Sequence, residues 1–241
     1  MKDDSEQLEV RSGRGGIQDT VLAGLRYGLM SGLFVPGQVF SLRKLAASFG
    51  TSPMPVRESL SRLVAASALE ELPNRSVRVP RLSGESLKEL FELRVRVEGL
   101  AARIAAEKMT DEGLRNLQKL NLAVRDAHGS GAMGEVLKAN QRFHFSLYKL
   151  SSSTILLPII EGLWLRSGPT MYFSLSSPHL WDSTSHLDIL TALEHRDQAA
   201  AEAAMARDIM KVGDFLIQQS KNGVKVGPIA ELSFDLADLG K

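Results

Sequence analysis

Residues 41–79, SLRKLAASFGTSPMPVRESLSRLVAASALEELPNRSVRV, decide the fold. Ser41 is a helix N-cap, and Leu42, Leu45, Ala46 and Phe49 recur after it at i, i+3, i+4 and i+7, which predicts a short helix stopped by Gly50. Ser52-Pro53 signals a second start, with serine as the cap and proline at the first helical position, where its missing N–H is harmless. Val56, Leu60, Leu63 and Val64 form the buried row of that helix. Leu69 to Leu72, the turn Pro73-Asn74-Arg75-Ser76 and the alternating Val77-Arg78-Val79 predict a small hairpin. Upstream, Val21, Leu22, Leu25 and Leu29 give a helix from Ile17 to about Ser31, closed by Gly32 and Pro36-Gly37. Three short helices and a hairpin make a winged helix-turn-helix over residues 16–81, behind a leader at residues 1–15 expected to be disordered.

Past Pro80 and Ser83-Gly84 only helical periods are legible. One helix starts near Leu87 and reaches about Lys108, and Thr110 caps another through about His128. Further helices are expected over Met133 to Leu150, Ile155 to Leu165, Ser183 or Ser185 to about His195, and Ala199 to Gln219, with Pro169 and Pro178 bracketing short pieces. The chain is therefore mainly α. A bundle of about six to seven helices is assigned to residues 84–221, for dimerisation and effector binding, and a flexible tail to residues 222–241.

Composition narrows the function classes. A chain of 241 residues suits one large domain or two small ones. The absence of cysteine removes disulfides, Cys-ligated zinc, iron–sulfur clusters and thiol catalysis. No apolar run approaches the ~18 residues of a membrane span, and the opening MKDDSEQLEV is unlike a secretory signal. A cytoplasmic protein without a membrane partner is expected. The net charge of +1 hides an asymmetry. Residues 11–81 hold ten Lys and Arg against four Asp and Glu, whereas residues 82–241 hold eighteen against twenty. A basic front end suggests a polyanion partner there.

In a helix-turn-helix the second helix enters the major groove with its N-terminal residues near base edges. Ser52, Met54 and Arg57 lie away from the buried row. Arg57 can fork onto a guanine or clamp a phosphate, and Arg62 further along the helix is counted with it. Arg43 opens the preceding helix, and Asn74 and Arg75 sit at the wing tip, within reach of the minor groove or of phosphates. A single arginine is more often a solvated charge. Their gathering on one side of the motif favours double-stranded DNA.

The stretch from Leu25, LRYGLMSGLFVPGQVF, through Val79 resembles the N-terminal domain of GntR-family bacterial transcription regulators, over about residues 17–80. Its most specific pieces are the G-x-F-x-P-G run from Gly32 to Gly37 and SPMPVRESL from Ser52 to Leu60. The resemblance implies that Arg43 and Arg57 contact an operator. Pro53 stands where the family usually has arginine or a similar polar residue, and Ser67 and Ser76 where glycine is usual. These departures bear on the operator sequence more than on DNA binding itself.

The helical half carries a second pattern. Asn140 and His144 are four apart, on a helix face shared with Phe143 and Leu147. His186 shares a face with Ile189, Leu190 and Leu193, and Asp208 with Met205, Val212 and Phe215. Polar groups on three inward faces need partners. A lone inward histidine is more often a hydrogen-bonded core residue, but converging helices could make these groups ligands of a divalent cation. LFELRVRVEGLAARIAAEKMT, NQRFHFSLYKLS and HLDILTALEHRDQAAAEAAMARD resemble the FCD-type helical effector domain of the FadR-like subgroup, over about residues 86–216. That resemblance implies a metal site of one aspartate and three histidines, whose positions here hold Asn140, His144, His186 and Asp208. Two of the four match, and the summed ligand charge is unchanged. Zinc, manganese, nickel or magnesium, and equally a metal-free pocket holding the effector directly, remain open.

By resemblance Arg94 faces the same cavity and could clamp a carboxylate; its alternative is an internal salt bridge with Glu98. Arg166 is placed near the pocket as a second effector contact. His128, His179 and His195 are read as surface residues. The whole predicts a ligand-responsive regulator, a repressor acting as a homodimer on a pseudo-palindromic operator and sensing a small organic acid. Two alternatives are a metal-dependent enzyme, for which no nucleophile or HExxH-type motif is present, and a protein-interaction adaptor, against which the arginines argue.

Overall fold

In the computed structural model, which describes residues 14–221, α1 (Arg14–Met30), α2 (Leu42–Ser48) and α3 (Pro53–Ala65) pack around Leu25, Leu29, Leu45, Val56, Leu60 and Leu63. The expected tail and residues 1–13 of the expected leader lie outside the described residues. The first helix begins at Arg14 rather than Ile17, so the leader's last two residues are helical. Ser41 caps α2 through its hydroxyl, which accepts from the Lys44 N–H at 3.4 Å.

Ser52 occupies the N-cap of α3 with extended backbone, φ −78° and ψ 162°, yet its side chain accepts no capping hydrogen bond. A cap hydroxyl bonds the second or third helical amide. Here the third is Pro55, which has no N–H to offer. The Ser52 hydroxyl is left for another partner.

The hairpin forms as expected but is short. β1 (Glu70–Glu71) and β2 (Val77–Arg78) are antiparallel, with Glu70 opposite Arg78, and Val39 bridges Arg78 on the other side. The left-handed residue at the wing tip is Arg75, at φ +62°, rather than Ser76. Ser67, before the wing, is also left-handed at φ +56°. A side chain costs roughly 1–2 kcal/mol in that region.

The second domain contains α4 (Gly84–Glu107), α5 (Asp111–Gly129), α6 (Met133–Leu150), α7 (Leu156–Met171), α8 (Thr184–Glu194) and α9 (Gln198–Lys221). Two 3-10 turns, Tyr172–Ser176 and Pro178–Trp181, join α7 to α8. Six α-helices among the described residues match the expected bundle. Ser83 and Thr110 cap α4 and α5 through their side chains. Small residues let α4 and α9 approach: a Cβ on Gly213 would lie 2.6 Å from the Phe91 ring.

The main departure is α7. It continues six residues past Leu165 and carries Pro169 inside it. Proline ordinarily breaks a helix by withholding its N–H and crowding the preceding turn. Here tertiary packing holds the last turns. Leu165 is part of the N-terminal domain's core, and Arg26 pairs with Glu161. Gly168 lies directly on α1: a Cβ there would be 2.3 Å from the Leu29 carbonyl oxygen and 2.8 Å from Met30 Cα. Gly32, at φ +69°, faces Gly168 from the other side, with its Cβ position 3.2 Å from the Gly168 oxygen. Thus α7 belongs to both domains at once. Gly168→Ala is expected to destabilise the protein by about 1–3 kcal/mol through overpacking, lowering Tm by about 2–4 °C for each kcal/mol. An unchanged melting temperature in thermal denaturation would show that the domains do not dock through this contact.

Candidate functional site

Four helices bring Arg94 (α4), Asn140 and His144 (α6), His186 (α8) and Asp208 (α9) to one cavity, with Trp181 and Leu180 of the second 3-10 turn in its wall. All four residues placed by the sequence in a ligand set therefore line the same space. His144 Nε2 lies 3.2 Å from Asp208 Oδ2, and His186 Nε2 lies 3.7 Å from Asp208 Oδ1. One ligand atom from each of the three residues falls within 4.8 Å of the others.

The other ring nitrogens are held from behind. His186 Nδ1 faces Asn121 Oδ1 at 3.0 Å, an oxygen that can only accept. His144 Nδ1 lies 3.1 Å from the Tyr148 hydroxyl, which itself donates to Glu98 Oε2. The network thus assigns both imidazole protons to Nδ1 and turns both Nε2 lone pairs toward Asp208. Burial draws the His186 pKa down to about 4, against the opposing pull of Asp208, so this imidazole is neutral at pH 7. Burial pushes the Asp208 carboxyl up, but the His186 and His144 imidazoles, once protonated, and the Ser185 hydroxyl outweigh it and hold the group below the usual carboxylate range. Ser185 Oγ donates to Asp208 at 2.5 Å.

Lone pairs facing a carboxylate repel unless a proton or a cation lies between them. The donor set fits a divalent cation: two imidazoles with supported Nδ1 atoms, a carboxylate, and Asn140 with an amide oxygen on the same wall. Donors about 2.1 Å from one ion lie at most about 4.2 Å apart, so small side-chain shifts would close the set.

Beneath this cluster lies a buried ion pair. Arg94 Nε donates to Glu98 Oε1 at 2.6 Å and Nη2 to Oε2 at 3.2 Å, and Trp164 Nε1 also donates to Oε2 at 3.0 Å. The internal salt bridge with Glu98 is thus formed, and Arg94 also lines the cavity. Its Nη1 is buried without a hydrogen-bond partner. Trp181 Nε1 and Ser183 Oγ, also on lining residues, are buried and unpartnered as well. Ser183 sits in the left-handed region at φ +57°. An unsatisfied buried polar group costs about 1–3 kcal/mol, so three around one cavity suit an occupant with acceptor oxygens. The cavity itself measures about 30 Å³. That is room for one or two waters or an ion.

Arg166 corrects the sequence reading. It is exposed and lines a different cavity, between the domains, because the longer α7 carries it to the N-terminal domain. His179 and His195 are exposed as expected, whereas the His128 ring bonds the Pro178 carbonyl at 3.0 Å. Asn121 and Tyr148 went unnoticed in the sequence. Asn121 stands with Leu117 and Val124 on the buried face of α5, the same inward-polar signal that singled out His144, and Tyr148 follows His144 by one turn. Trp181 and Ser183 gave no signal, since their role depends on the irregular turn between α7 and α8.

On the other domain Arg43, Ser52, Met54, Arg57, Arg62, Asn74 and Arg75 are all exposed. Arg57, Asn74 and Arg75 line one groove of about 740 Å³ between α3 and the wing, together with Ser61 and Glu71. Asn74 is less free than the sequence suggests. Its Oδ1 accepts from the Ser76 N–H at 3.1 Å and the Ser76 hydroxyl at 2.6 Å, which leaves only its NH₂ for a partner. Arg43 and Arg62 flank the groove on α2 and α3 without lining it.

The chain matches two known families. Residues 17–79 match "Bacterial regulatory proteins, gntR family" and residues 89–210 match "FCD domain". It is 30% identical over 202 residues to the HTH-type transcriptional regulator McbR of Escherichia coli strain K12, covering 82% of this chain and 91% of that protein. The HTH-type transcriptional repressor RspR of the same strain is 26% identical over 196 residues, covering 80% and 86%. The solved structure of E. coli McbR/YncC superposes with a TM-score of 0.79 at 29% identity, over 84% of this chain and 98% of that one.

Two outcomes test this geometry. Glu98→Ala leaves the Arg94 guanidinium buried without its counter-ion and is expected to cost about 3–5 kcal/mol in urea denaturation; a loss below about 1 kcal/mol would show the pair to be solvated. The double variant His144→Ala/His186→Ala is expected to lose any divalent metal that co-purifies with or is titrated into the wild type, measured by elemental analysis. Full retention would place the metal elsewhere.

Proposed function

The chain belongs to the GntR family of bacterial regulatory proteins and carries an FCD domain, and on that premise we propose that it acts in the cytoplasm as an effector-controlled repressor, a homodimer on double-stranded DNA. Members of these families are transcription regulators, not enzymes, so the enzyme alternative falls. The repressor among its relatives supports the sign of control.

In this reading α3 enters the major groove with Arg57 on base edges or phosphate and the uncapped Ser52 hydroxyl beside it. Arg43 and Arg62 hold the backbone, and the wing offers Arg75 and the Asn74 amide group. Pro53 and Pro55 bring neither an N–H nor a polar side chain to the helix start, which narrows what α3 can read. Self-association is supported by apolar side chains exposed on two helices that pack together: Leu93 and Leu100 on α4, and Ile155 and Ile159 at the start of α7. A two-fold dimer would present two α3 helices to a pseudo-palindromic operator.

The observation that carries the effector reading is the convergence of three unpartnered buried groups, Arg94 Nη1, Trp181 Nε1 and Ser183 Oγ, on the cavity of His144, His186 and Asp208. We assign a divalent cation (zinc, manganese, nickel or magnesium) to Asn140, His144, His186 and Asp208. The effector is a small organic acid whose carboxylate meets Arg94. Because the cavity measures only about 30 Å³, the acid enters by displacing the turns around Trp181. It controls transcription to the extent that it prefers one arrangement of the DNA-binding domains over another.

The direct test is retention of genomic fragments by the purified protein, followed by sequencing. A recurring short pseudo-palindrome is expected, and its retention is expected to fall steeply with salt as phosphate contacts release counterions. No enrichment with or without metal would overturn the reading. On the selected operator, Arg57→Ala is expected to weaken binding by roughly ten- to a hundred-fold in fluorescence anisotropy, with the dimer intact by sedimentation. Unchanged affinity would displace α3 from the groove.

A further inference from the structure

A second cavity, of about 390 Å³, lies where the two domains meet. Its apolar walls come from Val64 at the end of α3, Leu69 and Val79 at the base of the wing, Leu82 in the connection, and Pro169 on α7. One cation faces it. Arg166 makes no hydrogen bond or ion pair among the described residues, whereas Arg26, on the nearby α1, is paired with Glu161. Of the two acids that also line it, Glu70 is spent on Arg78 at 2.5 Å, and Glu71 is exposed and lines the groove beside α3 as well. The volume is that of a small-molecule pocket. An apolar chamber with one unspent guanidinium at its mouth selects a compound with an apolar body and a single anionic head.

We propose that this interdomain cavity is a second ligand site, separate from the His/Asp pocket, and that it takes an amphiphilic monocarboxylate whose head pairs with Arg166. The apolar body fills the space between Pro169 and the wing base. Placement gives the site leverage. Trp164, two residues earlier on α7, stacks on the Arg94 guanidinium at 4.7 Å and donates to Glu98, while Leu165 is built into the DNA-binding domain's core. A ligand wedged against Pro169 and Val64 therefore touches the helix that walls the first pocket and the helix that faces DNA.

The experiment is a fluorescence titration of the full-length protein with 2-naphthoate, with 2-naphthamide as the uncharged control. Saturable binding, one molecule per chain, is expected. It should weaken about tenfold or more in Arg166→Ala and with the amide, the ratio set by one charge-assisted hydrogen bond. It should be unchanged in His144→Ala/His186→Ala. The proposal is overturned by an absence of saturable binding, by binding indifferent to Arg166→Ala, or by binding lost in the histidine variant, which would place the probe in the first pocket. None of these outcomes depends on whether the first pocket holds a metal.

Discussion

The helical half of this protein is organised around one buried carboxylate. Glu98 is fully buried and accepts from Arg94, Tyr148 and Trp164, residues of α4, α6 and α7. Removing a carboxylate from water costs several kcal/mol, and only dense hydrogen bonding offsets it. Satisfying Glu98 therefore fixes three helices relative to one another. It also decides chemistry at one remove. Burial and Glu98 together push the Tyr148 phenol well above its usual pKa, so its proton stays on Glu98's side and its oxygen accepts from His144. The orientation of a candidate metal ligand follows from an ion pair one contact removed from it.

The same network reaches the other domain through α7. Trp164 packs on Arg94 and donates to Glu98 beneath the pocket, and its neighbour Leu165 belongs to the core around α1 and α3. Gly168 and Gly32 then bring α7 onto the end of α1 at backbone contact. On the far side of the pocket, the turns carrying Trp181 are tied down by two polar contacts. His128 meets the Pro178 carbonyl at 3.0 Å, and Lys211 meets Asp182 at 2.7 Å. Burial works to raise the Asp182 carboxyl, but the Lys211 and Thr184 hydrogen bonds hold it down at about 2. The pocket thus has a stiff floor and a cover held by a few ties, the arrangement in which an occupant can shift one side without unfolding the other.

The DNA-facing domain carries local costs. Ser67 and Arg75 sit in the left-handed region, where glycine would be easier, and Pro53 and Pro55 remove two donors from the start of α3. The wing turn is held by Asn74 bonding to Ser76. The prolines and the Asn74–Ser76 contact reduce the polar groups that remain to meet a polyanion.

Much of this was legible from the chain alone. Helical periods located nearly every element, since a stripe of apolar residues can be buried in only one regular way. Inward polar residues singled out Asn140, His144, His186 and Asp208, because an apolar face tolerates a polar group only when something else satisfies it. What the sequence could not decide was which surfaces face each other. The length of α7 past Pro169, the displacement of Arg166 to the hinge and the Asn121 support of His186 all depend on a partner distant in sequence. Periodicity records how a segment solves its own burial. It carries no record of the second surface, and at these positions the second surface sets the outcome.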